Sequence, residues 1–567
     1  MTSTVVPPVV PHRFAPKSED VMSETGHSVS IDADVIVVGA GFSGMYAVHH
    51  LQSLGFSVQG IEAGDGVGGT WYWNRYPGAR CDIVSVEYSY SFSEQLQQDW
   101  NWTQRYPTQP EMLAYANHAA DRFDLRRHFS FNTKVIAAHF DESTDLWRVR
   151  TDKGEELLTR CLVMATGCLS VPRLPDVPGL DDFEGVLLHT GRWPSEGVDV
   201  SGRRVGVIGT GASGIQIIPE LAEQAASLVV FQRTAAFSVS GVNVRLTPEQ
   251  IRDVKEHYPE YREYSRHSFG GTMLRANPKS ALEVSEQERQ EQFETAWTDG
   301  GFAFLASFRD ITTDLAANEL AAEFVRGKIR DMVDDPAVAD LLTPTDYPLG
   351  TKRICIDSGY YSTFNRSTVT LVDVRRAPIE AVTASGVVTT DDTYPLDTLV
   401  LATGFDAMTG ALLQVDIRGR AGRTLSEHWR DGPRAYLGIG VSGFPNLFTI
   451  TGPGSPSVLS NVIAAGEQHV EWIGNCLVHM RDRGIATIEP EPEAESSWVE
   501  HVNDVAEQTL YPLADSWYVG ANVPGKPRVF MPYVGGVGRY RRRCDKVAAA
   551  GYEGFVLTPA RTPHAAH

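Results

Sequence analysis

Three glycines at G-x-G-x-x-G spacing occur twice in this chain, as Gly39, Gly41 and Gly44 and as Gly209, Gly211 and Gly214. In such a motif the first glycine permits a tight turn, the second lets the backbone approach a pyrophosphate, and the third lets a helix close onto its strand. Free N–H groups at the helix start then face the phosphates. The residue ending the next strand differs between the two copies. After the first it is Glu62, suited to accept from adenosine ribose hydroxyls. After the second the chain reads Gln232, Arg233, Thr234. A carboxylate there would repel a 2′-phosphate, whereas arginine holds one. The first site therefore suits FAD. The second, with Thr210 and Ser213 inside its loop, suits NADPH.

Each motif needs a strand before it and a helix after it. Val35–Val38 is an apolar, β-branched run, helix formers continue to Leu54, and Gly55 stops them; Ser57–Ile61 supplies the next strand. Val205–Ile208, Ile215–Ala225 and Leu228–Phe231 repeat the arrangement. "LVMATG" (Leu162–Gly167) and "LVLATG" (Leu399–Gly404) are apolar strands at which the chain could pass between nucleotide domains, and prolines 172, 175 and 178 suit a connection. The expected fold class is α/β, with two Rossmann-like dinucleotide domains and a helical insertion. The expected layout is a flexible extension over 1–30, an FAD domain over 31–160 and 397–555, an NADP domain over 161–242 and 349–396, a helical insertion over 243–348, and a flexible tail from 556 to 567.

Between the motifs lie two further segments. "GVGGTWYWNRYPGARCD", with Gly69, Thr70, Trp71 and Trp73, resembles the segment that completes the FAD site in flavoprotein monooxygenases and related two-dinucleotide oxidoreductases, and its small residues would let the chain pass close to a cofactor. The aromatics either wall a flavin ring or pack the domain. "DDFEGVLLHTGRWPSEG" is too polar for a core strand and too rich in large side chains for a passive linker. Its His189 either ties its backbone to a domain linker through a ring hydrogen bond or acts as a base, although no nucleophile or carboxylate partner is near in sequence.

This second segment resembles the fingerprint of type I Baeyer–Villiger monooxygenases, F-x-G-x-x-x-H-x-x-x-W followed by proline or aspartate. Phe183, Gly185, His189, Trp193 and Pro194 match every specified position. The resemblance extends over essentially the whole chain after residue 30. It implies oxygen insertion beside a ketone carbonyl through a C4a-peroxyflavin and a tetrahedral adduct, with FAD as prosthetic group, NADPH as reductant, and NADP+ retained during oxygenation. It gives His189 a conformational role. In "GTKRICID" it makes Arg353 the catalytic cation and Lys352 a contact to the NADP ribose or 2′-phosphate, and it pairs Asp82 of "GARCD" with Arg353. It also places Trp517 beside the active site and NADP, and Ser457, Val458 and Leu459 in a substrate-pocket bulge, where loop packing is an equal reading.

The net charge, 50 minus 71 or −21, gives no general attraction to nucleic acid or anionic membranes. Cys81, Cys161, Cys168, Cys355, Cys476 and Cys544 form no C-x-x-C pair and no metal-ligand cluster, which argues against a disulfide reductase and a metal site. No signal peptide and no membrane span is expected, so the cytoplasm is the default, with ketone and O2 as reactants and no obligatory protein partner. The competing activities are oxygenation of nitrogen or sulfur by a related flavin enzyme and a nonenzymatic flavin sensor. The close run Arg539, Arg541, Arg542 and Arg543 has no assigned role.

Overall fold

The computed structural model describes residues 20–22, 28–241 and 243–561. Two sheets carry the two glycine motifs. The first is built around the strand Ala33–Val38, which pairs in parallel with Val58–Ile61 on one side and Glu156–Met164 on the other. An antiparallel meander, Val135–Asp141 and Leu146–Thr151, extends it from Glu156–Met164. The second sheet has five strands, all parallel, in the order Val369–Asp373, Ser227–Gln232, Arg204–Ile208, Thr398–Leu401, Val186–His189. Ile36, Val37, Val205 and Val207 are fully buried. Such runs, apolar on both faces, are what a covered parallel sheet demands.

The helix after each motif starts at its second glycine. Phe42–Ser53 follows Gly41, and Ala212–Gln224 follows Gly211. Four further helices, Pro248–His267, Glu286–Asp299, Leu315–Met332 and Pro336–Leu342, lie in the stretch expected to be helical. Phe293, Phe304, Val325 and Ile329 from this region share one core with Ile217 and Val230 of the second nucleotide unit.

Several expected boundaries shift. The break at 160/161 falls inside the strand Glu156–Met164, which belongs to the first sheet. The break at 396/397 precedes Thr398–Leu401, which belongs to the second. The reason is shared. Each Ala-Thr-Gly strand lies directly beside the motif strand of its own sheet, so a Cβ on Gly39 would sit 2.5 Å from the Ala165 carbonyl oxygen, and one on Gly209 2.5 Å from that of Ala402. The chain therefore crosses between units after each of these strands. The segment judged too polar for a strand contributes Val186–His189 as the second sheet's edge strand, where one face can meet solvent: Leu187 is exposed while Leu188 is buried. The tail expected from 556 begins within Phe555–Pro559, which pairs antiparallel with Ile485–Pro490. Residues 562–567 of that tail lie outside the described residues. So does most of the 1–30 extension, in which Asp20–Met22 and Ser28–Ser30 pair with each other. No helix among the described residues is long and apolar enough to cross a membrane.

Candidate active site

At both motifs the three glycines divide their work as a dinucleotide requires. Gly39 and Gly209 have φ of 106° and 109°, in the region that favours glycine. A Cβ on Gly44 would lie 1.8 Å from the Gly39 carbonyl oxygen, and one on Gly214 2.3 Å from that of Gly209. These two glycines let helix and turn touch. The middle glycines differ: a Cβ on Gly41 would reach only Gly69, at 3.5 Å, and one on Gly211 would meet nothing within 4 Å. Space is thus kept where a pyrophosphate would approach. Gly69, with φ 55°, precedes the short helix Thr70–Trp73, and the Gly41–Gly69 contact brings that segment against the first motif.

Glu62 is buried and accepts from the backbone N–H of Ala40 at 2.6 Å and of Gly64 at 2.7 Å. Its carboxylate knits the motif turn to the loop beyond the next strand, and it retains lone pairs for ribose hydroxyls. Trp71 belongs to the first core, although its buried indole N–H has no partner among the described residues. Trp73 instead lies under the Arg192 guanidinium, 4.3 Å from its ring centre.

At the second motif Thr210 donates its hydroxyl to the Thr234 carbonyl at 3.0 Å, closing the loop onto the strand end that presents Arg233. Arg233 is exposed and has no ion pair among the described residues. Lys352 stands over the ring of Tyr347 at 4.5 Å; burial, then the charge of Arg233, pull its pKa below the usual lysine value. Asp515 and Asp346 act on Lys352 in the opposite sense, so the two cations keep company with acids but neither makes an ion pair among the described residues. Ser213 follows in the first turn of the helix Ala212–Gln224.

Asp82 and Arg353 are 271 residues apart and meet in a two-pronged pair. Arg353 donates from Nε at 2.9 Å and from Nη2 at 2.6 Å to the two Asp82 oxygens, and from Nη1 to the Val458 carbonyl at 3.1 Å. One N–H on each terminal nitrogen is left without an acceptor among the described residues. Burial works against the guanidinium's charge, yet Asp82 beside it carries the pKa above its ordinary value, so the charge is permanent. The ring of Phe302 lies 5.4 Å away on one side. Val458, the acceptor, belongs to the Ser457–Leu459 turn, where Ser457 has φ 44° and is fully buried, 3.0 Å from the Cys168 sulfur. Val458 and partly buried Leu459 pack in one cluster with Tyr518 and Trp517, whose rings lie 4.2 Å apart.

Among the described residues no hydrogen bond or ion pair joins the fingerprint residues to this pair. His189 accepts from the Gly191 N–H through Nδ1 at 2.9 Å, which places its proton on Nε2 to donate to the Arg173 carbonyl at 3.3 Å. Burial lowers its pKa and keeps the ring neutral. Both nitrogens are committed to backbone, so the geometry is that of a linker tie. Trp193 is buried in the second core. The Phe183 ring would meet a Cβ on Gly185 at 2.5 Å, so the glycine admits the phenylalanine, and Pro194 accepts from the Gly197 N–H to close a turn. Sequence reasoning missed Arg173, Thr403, Gln216 and Cys168. Gln216 accepts from Tyr76 at 2.8 Å and donates to the Arg80 carbonyl at 3.1 Å, joining the helix of the second motif to the segment that carries Asp82. Only their place in the folded chain marks them.

A buried histidine supports the same region. His469 accepts from the Thr451 N–H at 3.0 Å and bonds Tyr540 at 2.8 Å, and Thr451 in turn receives the Cys168 thiol at its carbonyl, 3.2 Å away. Burial, with Arg541 nearby, pulls its pKa down to about 3. The unfolded chain takes up this proton near pH 6.5 and the folded chain does not, so the stability it provides is intact above about pH 6.5 and is lost as pH falls toward 3. His469→Gln should be less stable at about pH 8 and lose less on going to about pH 5. Urea unfolding at both pH values checks this, and equal losses in the two proteins would refute it.

A family model described as pyridine nucleotide-disulphide oxidoreductase matches residues 36–294. All six cysteines are free, so the match carries no disulfide pair with it. A Baeyer–Villiger monooxygenase of Pseudooceanicola batsensis is 42% identical over 541 residues, covering 95% of this chain and 98% of the relative. A phenazine N-monooxygenase of Lysobacter antibioticus is also 42% identical, over 92% of this chain and 97% of its own length. The solved structure of an oxidized steroid monooxygenase bound to NADP is 54% identical, covers 93% of this chain and 99% of its own, and superimposes with a TM-score of 0.89. With these similarities and two glycine motifs, each set between a strand and a helix, the chain belongs to the Baeyer–Villiger monooxygenase family of two-dinucleotide-binding flavoproteins.

Proposed function

We propose that this protein inserts one oxygen atom of O2 beside a ketone carbonyl, yielding an ester or lactone and water while NADPH is oxidised to NADP+. The observation that carries the reading is the Arg353–Asp82 pair, which joins a segment of the first nucleotide unit to a segment of the second. FAD, reduced by NADPH, supplies the activated oxygen. The first glycine loop, Glu62, Gly69 and Thr70 would hold it. The second loop with Thr210, Ser213, Arg233, Thr234 and Lys352 would hold NADPH. Arg353 directs its two uncommitted N–H donors at oxygen on which negative charge develops, and Asp82 with Val458 fixes their aim. Ser457, Val458 and Leu459 border the substrate and Trp517 closes the neighbouring wall. His189 ties the linker between the units and moves no proton.

A second reading, oxygenation of an aromatic nitrogen, is favoured by one observation: the phenazine N-monooxygenase is as similar as the Baeyer–Villiger relative. Aerobic incubation with NADPH or NADH, a panel of cyclic, aryl-alkyl and steroid ketones, and a phenazine, followed by mass analysis, separates them. The expected result is a ketone product heavier by one oxygen, formed faster with NADPH. N-oxide without ester would establish the second reading, and equal use of NADH would refute the assignment of Arg233 and Lys352.

A further inference from the structure

We infer that Arg173, in the linker between the two units, is a contact for the pyrophosphate of the pyridine dinucleotide, and that His189 is its positioning residue. This rests on the proposed assignment of the second glycine motif to NADPH.

The Arg173 backbone is pinned three ways to the C-terminal edge of the second sheet. Its N–H donates to the Gly404 carbonyl at 2.9 Å. Its carbonyl accepts from the Thr403 hydroxyl at 2.5 Å and from His189 Nε2 at 3.3 Å. Thr403 and Gly404 follow the strand Thr398–Leu401, and His189 ends the strand Val186–His189. In open parallel sheets ligands sit at this carboxyl edge. Ala402, one residue before Thr403, is the residue against which Gly209 turns, so the pinned linker lies next to the glycine loop itself.

The side chain is half-buried and has no hydrogen bond or ion pair among the described residues. Asp176 and Asp406 lie within electrostatic reach, but Asp406 is already held by Lys526 at 2.7 Å. Arg233 is within the same electrostatic reach, and burial, then that repulsion, lowers the Arg173 pKa. An arginine that is partly desolvated, fixed in position by its own backbone and without a hydrogen-bonded acid among the described residues is set to receive an anion.

Strand order says which anion. Arg233 follows Ser227–Gln232, on one side of the motif strand Arg204–Ile208, whereas Arg173 is tied to Thr398–Leu401 on the other. The glycine loop lies between the two. Arg233 is therefore on the side of the adenosine 2′-phosphate, and Arg173 on the side toward which the pyrophosphate runs. Since NADP+ and NAD+ share that pyrophosphate, Arg173 is blind to the difference between them.

Calorimetric titration of the FAD-loaded protein with NADP+ and with NAD+ tests this without turnover. Arg173→Ala should raise both Kd values by a similar factor, on the order of tenfold or more for a charge-assisted contact. Arg233→Ala should raise that of NADP+ alone. Arg173→Lys should recover part of the loss. An unchanged Kd for both ligands in Arg173→Ala, or a loss confined to NADP+, overturns the inference. If the unaltered protein binds neither dinucleotide, the assignment of the second motif fails first. For positioning, His189→Ala should weaken both ligands in the parent and add little in an Arg173→Ala background. The same loss in both backgrounds overturns that part.

Discussion

Arg353→Ala should bind FAD and still be reduced by NADPH, yet form ester at least about 100-fold more slowly. The guanidinium touches neither glycine motif, so both dinucleotide cradles survive its loss. What disappears is a fixed positive charge with two N–H donors that have no acceptor among the described residues. Arg353→Lys should recover little. An ammonium is a point charge on a flexible stem and cannot hold both Asp82 oxygens and the Val458 carbonyl at once. Asp82→Asn should fall between, because the charge remains while one of the two prongs that aim it is lost. Product formation is read by mass analysis, and bleaching of the flavin absorbance by NADPH is followed separately. Ester formation by Arg353→Ala at a near-parent rate would refute the assignment of Arg353 as a catalytic residue. Loss of bleaching without loss of FAD would move Arg353 to the NADPH-binding step.

The parts of this molecule that were legible in its sequence are those whose cause is local. The glycine motifs can be read because backbone approach and helix closure are decided within six residues, and the 1.8 Å separation at Gly44 expresses that requirement in space. Strand and helix runs around them follow from burial on both faces. Other features depend on what is far away in the chain. The segment from Asp181 to Gly197 looks too polar for a core strand, yet its apolar stretch Val186–His189 is an edge strand, and nothing in the sequence says that Thr398–Leu401 will lie beside it. The domain breaks erred by a few residues for the same reason. The Ala-Thr-Gly runs look like exits from a domain, but each still belongs to the sheet it leaves. The meeting of Asp82 with Arg353, 271 residues on, was available only through resemblance. Arg173 carried no signal, because a lone linker arginine becomes distinctive only when its carbonyl is held by His189 and Thr403 and its guanidinium makes no hydrogen bond or ion pair among the described residues. The basic run near the C-terminus is divided by its helix: Arg541 approaches Glu471, while Arg539, Arg542 and Arg543 remain exposed.

The second large effect separates what a glycine does for the fold from what it does for the ligand. Gly211 has φ −80° and ψ −167°, a conformation that alanine adopts freely, and a Cβ there meets nothing within 4 Å. Gly211→Ala should therefore change unfolding free energy by no more than about 0.5 kcal/mol. The added methyl occupies the space through which phosphates reach the backbone N–H groups, and the NADPH Kd should rise by about 100-fold, the equivalent of roughly 3 kcal/mol of overpacking. Gly214→Ala reverses the pattern. Its Cβ would lie 2.3 Å from the Gly209 carbonyl oxygen and 3.1 Å from its carbon, both backbone atoms that no rotamer can move aside. Helix and turn must separate, at a cost of about 3 kcal/mol. The melting temperature should drop, and NADPH affinity with it, because the helix N-terminus no longer faces the loop. Thermal unfolding of the FAD-loaded variants, set beside NADP+ titration, distinguishes the two. Should Gly211→Ala bind NADP+ as the parent does, the open space at Gly211 is not where the pyrophosphate lies, and the assignment of this motif to the dinucleotide falls with it.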